Sequence, residues 1–308
     1  MEEIFELTPL PPFRLDLTVA ALRRRPDNLV DRWDGQTYRR VTVTGDGELY
    51  EIAVSQSGLP DAPRLCVSVS QEKPGAGVKE QVVLALERLL GICIDLTEFY
   101  SMAEGDEKLS PLANQFRGFK PPRLYTNFEA LVAAIACQQL TLTQGIRLLN
   151  GLVELVGPAL ETETGIFHAF PRPQDVAGVD IEALRKLGFS YQKANYIAGL
   201  AQLITGKQYN LATIETLDDQ KAVEVLCSLK GVGRWTAEYF LLRGLGRTHI
   251  FPADDSGARN HLQRWLGLPE NQKYDDVKKV LKRWDGYAGL VYFHLLLKGL
   301  AEKRLLPG

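Results

Sequence analysis

The sequence predicts an α+β protein in which an antiparallel sheet comes first and an all-helical region follows. Alternating and β-branched residues at 38–44, 49–54 and 65–69 indicate strands, and glycine- or proline-containing turns at 45–47 and 58–60 separate them. From Leu109 onward, apolar residues recur at helical spacing. Because a proline disfavours helix in the residue before it, Pro121 and Pro122 set the boundary near 118–122. We expect a small α+β domain at 1–115 and a helical region at 116–308.

The remaining elements are predicted to be helices that Gly, Pro and Asp breaks separate. An amphipathic helix at 78–90 completes the N-terminal domain. The helical region is predicted to contain helices at 128–136, 142–156, 181–187, 192–204, 221–229, 235–242, 255–266, 274–284 and 287–300. This number of helices is enough for two subdomains on either side of a cleft.

Composition restricts the class of protein. The chain has 308 residues, of which 45% are hydrophobic and 24% charged, as expected of a soluble protein with two domains. No apolar run is long enough for a transmembrane helix, and the first residues are acidic where a secretory signal would be basic. We therefore expect a cytoplasmic protein without a membrane partner.

Cysteine and histidine spacing predicts neither a metal site nor a redox cofactor. The four cysteines are widely separated and lie in apolar surroundings, and the four histidines form no ligand pattern. The positions are Cys66, Cys93, Cys137, Cys227, His168, His249, His261 and His294. No disulfide framework, zinc site or iron–sulfur cluster is expected.

A glycine-containing turn between two predicted helices is the strongest functional signal. Gly231 and Gly233 flank Val232, and an apolar helix begins directly after them. Glycines let the backbone approach a ligand closely, and a following helix directs free N–H groups and its positive dipole end toward an anion. Asp254 and Asp255 place two carboxylates about two dozen residues further on. This combination indicates a phosphate-binding turn with chemistry beside it.

Charge is distributed unevenly along the chain. The net charge of −2 combines −6 over residues 1–119, with 13 basic against 19 acidic residues, and +4 over residues 120–308, with 23 against 19. Phosphate neutralisation dominates nucleic-acid affinity, so a polyanion is expected to bind the second part.

Residues 229–244, followed by Phe251 to Asp255, resemble the hairpin and Gly/Pro/Asp signature of the helix-hairpin-helix DNA glycosylase superfamily. The segment is most similar to the AlkA-type 3-methyladenine glycosylases. Residues 128–142 resemble the helix and Gln-containing loop that enters the duplex in that family, and residues 15–25 resemble its N-terminal domain. Residues 184–197 and 286–289 instead resemble the related 8-oxoguanine glycosylases.

The resemblance implies a monofunctional enzyme of base excision repair that flips an alkylated base, such as 3-methyladenine or 7-methylguanine, out of double-stranded DNA and leaves an abasic site. Asp255 matches the catalytic aspartate and stabilises charge on the sugar or activates water, while Asp254 caps the following helix. Trp235 stands where bifunctional members have a Schiff-base lysine, so no strand cleavage is expected.

The resemblance also assigns binding residues. Trp235 and Tyr239 form one wall of the base pocket, and Phe293 and Tyr292 close the opposite wall. DNA contacts are expected from Lys230, Gly231, Val232, Gly233, Arg234 and Thr236, and from the loop Gln138, Gln139 and Leu140. Gln139 aligns with the intercalating leucine of the family, whereas Leu140 is the apolar candidate, so the wedge residue stays open. No cofactor is expected beyond a monovalent cation held by hairpin carbonyls.

Two other functions remain open at this point. Leu187 to Tyr191 and Tyr287 to Gly289 favour an oxidised-purine glycosylase. A protein from another class, a non-enzymatic DNA-binding module, would use the hairpin only to hold phosphate, and Asp255 argues against it. In each case the expected partner is double-stranded DNA in a prokaryote-like nucleoid, bound by a monomer.

Overall fold

An antiparallel five-stranded sheet forms the N-terminal part of the protein. The computed structural model describes residues 2–43, 47–71, 77–162 and 165–306. The strands lie side by side in the order β1–β5–β4–β3–β2. Their bounds are β1 Glu2–Leu7, β2 Arg32–Trp33, β3 Thr37–Val43, β4 Leu49–Ser57 and β5 Arg64–Gln71. The three predicted strands are confirmed as β3, β4 and β5, while Thr44, Gly45 and Asp46 lie outside the described residues.

Alternation along the strands builds the first core. Tyr50, Ile52 and Val54 of β4 are fully enclosed, and Val54 lies opposite Val67 of β5. Helices α1, Leu15–Arg23, and α2, Val78–Leu90, contribute to the same apolar cluster. The α2 helix is a confirmed prediction. Strands β1 and β2 and helix α1 were not predicted, because no isolated pattern in the sequence marks them.

The rest of the chain is mainly helical, which confirms the α+β class. Its helices are α3 Thr97–Glu104, α4 Leu109–Gln115, α5 Asn127–Cys137, α6 Leu142–Val156, α7 Pro173–Val176, α8 Ile181–Lys186, α9 Tyr191–Thr205, α10 Asp219–Cys227, α11 Arg234–Arg243, α12 Ser256–Leu266, α13 Tyr274–Leu281 and α14 Ala288–Glu302, with 3₁₀ turns at Leu211–Thr216 and Lys282–Trp284. None of the helices in these described segments is long and apolar enough to cross a membrane.

One element corrects the expectation of an all-helical second region. Strands β6, Ala159–Thr162, and β7, Gly165–His168, form a two-stranded antiparallel sheet. Leu160 and Ala169 pack with Val41 of β3, so the small sheet lies against the N-terminal one. Four-residue strands give too short an alternation to be detected in the sequence.

The N-terminal segment also packs against the C-terminal helices. Leu17, Ala20 and Ala21 of α1 share a core cluster with α14. The buried Arg243 of α11 donates from Nη1 to the Ala21 carbonyl at 3.0 Å and from Nη2 to the Leu22 carbonyl at 3.2 Å. The end of α1 is thereby fixed against α11. The domain boundary at 115/116 stays a prediction.

Candidate active site

The glycine turn joins α10 to α11 as predicted. Gly231 has φ +85°, and a Cβ there would lie 2.3 Å from the ring of Tyr196, so only glycine fits. Gly233 is different, because its φ of −101° is open to every residue and nothing lies within 4 Å of the position of a Cβ. The backbone conformation therefore requires glycine at position 231 and not at position 233. At Gly233 the missing side chain leaves open space beside the start of α11.

Helix α11 directs its amino end at this space. Its first internal hydrogen bond runs from Ala237 N–H to the Gly233 carbonyl at 2.9 Å, so the amides of Arg234, Trp235 and Thr236 precede the helical ladder and remain available to an anion. Lys230 and Gly233 are exposed beside them. The arrangement suits a phosphate oxygen.

Other hairpin residues that were predicted to contact DNA make contacts with the rest of the protein. The side chain of Val232 is buried, and its N–H donates to the Leu229 carbonyl at 3.1 Å. Thr236 is buried, and its hydroxyl accepts a hydrogen bond from Gln138 Nε2 at 2.8 Å. Arg234 donates from Nε to Asp254 Oδ2 at 2.7 Å and stacks on the Tyr274 ring, with its Cζ atom 3.7 Å from the ring centroid.

The Gln-containing loop lies directly against the hairpin. Gln138 Nε2 donates to the Gly231 carbonyl at 2.7 Å and to Thr236 Oγ1 at 2.8 Å. Lys193 Nζ donates to the carbonyls of Ala136 and Gln138, at 2.9 Å and 2.6 Å, and so fixes the end of α5. Gln138 therefore links the loop to the hairpin and does not point to solvent.

Two residues form the exposed tip of this loop. Gln139 is exposed and has φ +54°, in the left-handed region, and the side chain of Leu140 is 39% exposed. Helix α6 then begins at a capping box in which Thr141 and Gln144 bond reciprocally. The tip is held between two well-anchored helix ends.

Asp255 lies at the start of α12 with its two oxygens in different environments. Oδ1 accepts the N–H of Ala258 at 2.9 Å, and Oδ2 accepts from Trp235 Nε1 and from the Tyr292 hydroxyl, each at 3.3 Å. Asp255 is therefore the N-cap of α12, and the assignment of that cap to Asp254 is wrong. Asp254 instead pairs with Arg234. The cap sets the direction of the carboxylate, which stays half-buried.

The predicted aromatic pocket is only partly assembled. The rings of Trp235 and Tyr239 lie 5.5 Å apart at 38°, and Trp235 is the half-buried member while Tyr239 is 3% exposed. Tyr292 is almost enclosed and reaches the site through its hydroxyl. Phe293 is fully buried and contacts Phe119, with ring centroids 5.6 Å apart. The expectation for Phe293 needs correction, because consecutive residues of a helix point about 100° apart and only Tyr292 faces Asp255.

Sequence reasoning missed Arg24, which follows α1. Its Nη1 donates to the Tyr239 hydroxyl at 3.1 Å, and it lines the same cleft as Asp255 and Trp235. The only sequence signal is the run Arg23, Arg24 and Arg25 within the segment that resembles the N-terminal domain of the family. Its approach to α11 depends on packing between distant parts of the chain.

Together these elements enclose an open cleft of about 960 Å³. It is lined by the α5–α6 loop, the amino end of α11, the amino end of α12 and Arg24. One side carries the exposed loop tip, and the floor carries the Asp255 carboxylate and the Trp235 ring. Within the described segments, no group of three or more His, Cys, Asp or Glu side chains is arranged to hold a metal ion.

Comparisons with known proteins agree with this geometry. A family model described as HhH-GPD superfamily base excision DNA repair protein matches residues 132–285. A DNA-3-methyladenine glycosylase of Bacillus subtilis is 26% identical over 71% of this chain and 73% of its own length. DNA-3-methyladenine glycosylase 2 of Escherichia coli is 28% identical over 92% of this chain and 94% of its own. A solved 3-methyladenine DNA glycosylase from Archaeoglobus fulgidus superposes with a TM-score of 0.81 at 27% identity, covering 95% of this chain and 97% of that one.

Proposed function

The chain belongs to the HhH-GPD superfamily of base excision DNA repair proteins, and from that premise we propose that it is a DNA glycosylase that removes alkylated bases from double-stranded DNA. The observation that carries the proposal is the Asp255 carboxylate, held by its own helix cap at the floor of a cleft between the hairpin and an exposed loop tip. The relatives named as 3-methyladenine glycosylases support the substrate class.

Binding begins at the hairpin in this proposal. The amides of Arg234, Trp235 and Thr236 hold a phosphate, with Lys230 beside them, and phosphate contacts of this kind position a protein without reading the base. The tip formed by Gln139 and Leu140 then enters the duplex and occupies the space of the extruded nucleotide. The extruded base lies against Trp235, whose ring face attracts a cationic alkylated purine.

Bond cleavage follows at Asp255. In an N3- or N7-alkylated purine the positive charge resides on the base, and it passes to the sugar as the C1′–N9 electron pair leaves with the base. The neighbouring carboxylate stabilises the sugar cation, and it takes the proton of the water whose oxygen adds to C1′. The products are a free neutral base and an unbroken abasic strand, because the position of a Schiff-base lysine is Trp235.

The residues that favour the oxidised-purine alternative have local structural roles. Ser190 caps α9 by accepting the Lys193 N–H at 3.2 Å, Gly188 has φ +104°, and Tyr287 packs against Phe99 at 5.9 Å between centroids. None of these residues lines the cleft around Asp255. These contacts account for the residues as turn and packing positions, and the relatives named as 3-methyladenine glycosylases support alkylated bases as the substrates.

A monovalent cation at the hairpin stays a prediction. The turn carbonyls are the groups that would hold it, and those of Leu229 and Gly231 already accept hydrogen bonds from Val232 and Gln138. A cation would have to share these oxygens. The monomeric state and the cytoplasmic location also stay predictions.

The direct test is incubation with duplexes that each carry one lesion, with release of free base as the readout. Release of 3-methyladenine or 7-methylguanine without strand breakage is the expected result. Activity restricted to 8-oxoguanine would show that the protein is an oxidised-purine glycosylase. Binding without base release would show that it is a non-enzymatic DNA-binding module.

A further inference from the structure

Arg259 of α12 is a half-buried arginine whose guanidinium has no acceptor. It makes no hydrogen bond, ion pair or ring contact with any residue that the structure describes. Every other buried or half-buried arginine of the described segments has a partner, for example Arg247, which pairs with Asp219 at 2.7 Å. Taking a guanidinium partly out of water without an acceptor is costly. The donors of Arg259 are therefore available to an acceptor outside the protein.

The helix places Arg259 one turn from the Asp255 carboxylate. With about 3.6 residues per turn, side chains four positions apart differ by about 40° in direction, so Arg259 and Asp255 lie on the same side of α12. Long side chains of a helix lean toward its amino end. That end belongs to the cleft, because Ser256 and Gly257 line it together with Asp255. The guanidinium is thus directed toward the edge of the cleft.

The first turn of α12 is open and has two free amides. The Ala258 N–H donates to Asp255 Oδ1 at 2.9 Å, and the Arg259 N–H donates to the Asp255 carbonyl at 2.8 Å. The amides of Ser256 and Gly257 therefore precede the helical ladder. Both residues are small and exposed, so an anion from solvent can approach these N–H groups.

A phosphate at this position needs a nearby positive charge. The Asp255 carboxylate lies at the same helix end, and two negative charges at short range repel. Arginine stays charged and binds phosphate through two parallel hydrogen bonds, so Arg259 offsets this repulsion. Arg264 provides the contrast within α12. It follows Asp255 by nine positions, which places it on the opposite side of the helix, and its Nη2 lies 3.3 Å from His261 Nδ1.

We propose that Arg259 binds a backbone phosphate of the strand that carries the extruded nucleotide. This phosphate is separate from the one at the hairpin, so the strand is held at two points, at the start of α11 and at the start of α12. Phosphate contacts fix the register of DNA on a protein without reading the base. Arg259 therefore helps to position the sugar beside Asp255. The inference rests on the proposed function, in which DNA occupies the cleft.

The test compares the wild type with Arg259→Gln, Arg259→Lys and Arg264→Gln. Arg264→Gln is the matched control, since it removes the same charge from the far side of the same helix. Affinity for an undamaged duplex and for one with an abasic-site analogue is titrated between about 50 and 200 mM salt, because each neutralised phosphate contributes about 0.9 to the slope of log K against log salt. Urea unfolding shows whether each variant keeps the wild-type stability.

A second measurement locates the phosphate. A neutral methylphosphonate replaces each phosphate near the lesion in turn, and the affinity of each duplex is measured. Wild-type protein should be sensitive at two separate positions of the lesion strand, one for the hairpin and one for Arg259. This scan needs no substitution in the protein, so the test stays decisive if Arg259→Gln unfolds.

We expect Arg259→Gln to bind both duplexes about ten- to a hundredfold more weakly at the lower salt concentration, the range for one hydrogen bond to a charged group. Its salt slope should fall by about one, while Arg259→Lys restores most of the slope and Arg264→Gln matches the wild type. At one of the two sensitive phosphates, the methylphosphonate should cause no further loss in Arg259→Gln.

An unchanged slope in Arg259→Gln would overturn the inference. So would an equal fall in Arg264→Gln, or a wild-type protein that is sensitive at one phosphate only. Release of alkylated bases together with an unchanged slope would leave the proposed function standing without this contact. The expected change in slope without release of any alkylated base would keep the contact and remove the proposed function.

Discussion

The indole Nε1 of Trp235 donates to Oδ2 of Asp255 over 3.3 Å. The hairpin thereby orients the carboxylate that the following helix presents, and one residue has two separable functions. In the proposed function its ring face contacts the base, while its N–H donates to Asp255. Substitutions that remove one function or both can distinguish them.

Trp235→Phe keeps a ring and removes the N–H, so we expect a similar loss of excision on all substrates. Trp235→Ala also removes the ring face that attracts positive charge, which contributes about 0.5–2 kcal/mol per contact. It should therefore cost more on 3-methyladenine and 7-methylguanine than on hypoxanthine. Single-turnover excision by both variants is the measurement. Equal losses on every lesion for Trp235→Ala would reduce Trp235 to a packing and orienting residue.

The two hairpin glycines should respond differently to alanine. Gly231→Ala brings a Cβ within 2.3 Å of the Tyr196 ring at φ +85°, so we expect the free energy of unfolding to fall by at least about 1–2 kcal/mol. Gly233→Ala meets no protein atom and should keep wild-type stability.

Its Cβ instead occupies the space beside the free amides, and it should weaken binding to damaged and undamaged DNA alike. Urea unfolding and affinity titrations at several salt concentrations measure the two effects. A Gly233→Ala variant with reduced affinity for damaged DNA only would show that the turn is not the phosphate site.

The exposed loop tip offers two candidates for the wedge. Leu140 is apolar and 39% exposed, whereas Gln139 is polar with φ +54°. Insertion between bases buries apolar surface, and a leucine side chain contributes about 1.5–3 kcal/mol on burial. Leu140→Ala should therefore slow excision about ten- to a hundredfold, and Gln139→Ala should slow it less. The fluorescence of 2-aminopurine next to the lesion reports extrusion. The reverse order of effects would make Gln139 the wedge.

The buried His294 should make stability depend on pH. Its ring lies among Phe99, Phe116 and Phe119, and burial lowers its pKa to about 4 while Nδ1 donates to the Leu290 carbonyl. In the unfolded chain the His294 imidazole has its ordinary pKa of about 6.5. Between that pH and about 4 the unfolded chain binds a proton that the folded protein does not bind. The contribution is complete above pH 6.5 and is lost as pH falls toward 4.

Between pH 7.5 and pH 5 this group should remove about 2 kcal/mol of stability. His294→Phe should lose that part of the pH dependence, and the exposed His249→Gln is the control. Urea unfolding at the two pH values measures it. An unchanged difference in His294→Phe would assign the pH dependence to other groups.

Local patterns predicted the elements with strong caps and breaks. Helix α6 has its predicted bounds, 142–156, because a capping box at Thr141 and Gln144 fixes its start. The hairpin helices and α12 are also found where they were predicted, with ends that differ by one or two residues, and Asp255 caps α12 instead of forming its first turn. The start of α12 was thereby predicted to within one residue, although its cap was assigned to Asp254 instead of Asp255.

Contacts between distant residues could not be predicted. Gln138 turns inward to Gly231 across 93 positions, and Arg24 meets Tyr239 across 215. Phe293 and Tyr292 look equivalent in sequence, and only the packing of α14 decides which one faces the carboxylate. The parts of the site that depend on tertiary packing are the parts that the sequence leaves open.

The central claim is that the Asp255 carboxylate performs the chemistry, and Asp255→Asn tests it most directly. Asparagine caps a helix as well as aspartate does, so the variant keeps the start of α12 and loses only the charge. Asp254→Asn is the matched control, since Asp254 pairs with Arg234. Single-turnover excision and lesion-DNA affinity are measured together on all three proteins. We predict that Asp255→Asn loses at least about 10²–10³-fold in excision with nearly unchanged affinity, while Asp254→Asn stays active. Near-normal excision by Asp255→Asn with an inactive Asp254→Asn would contradict the account.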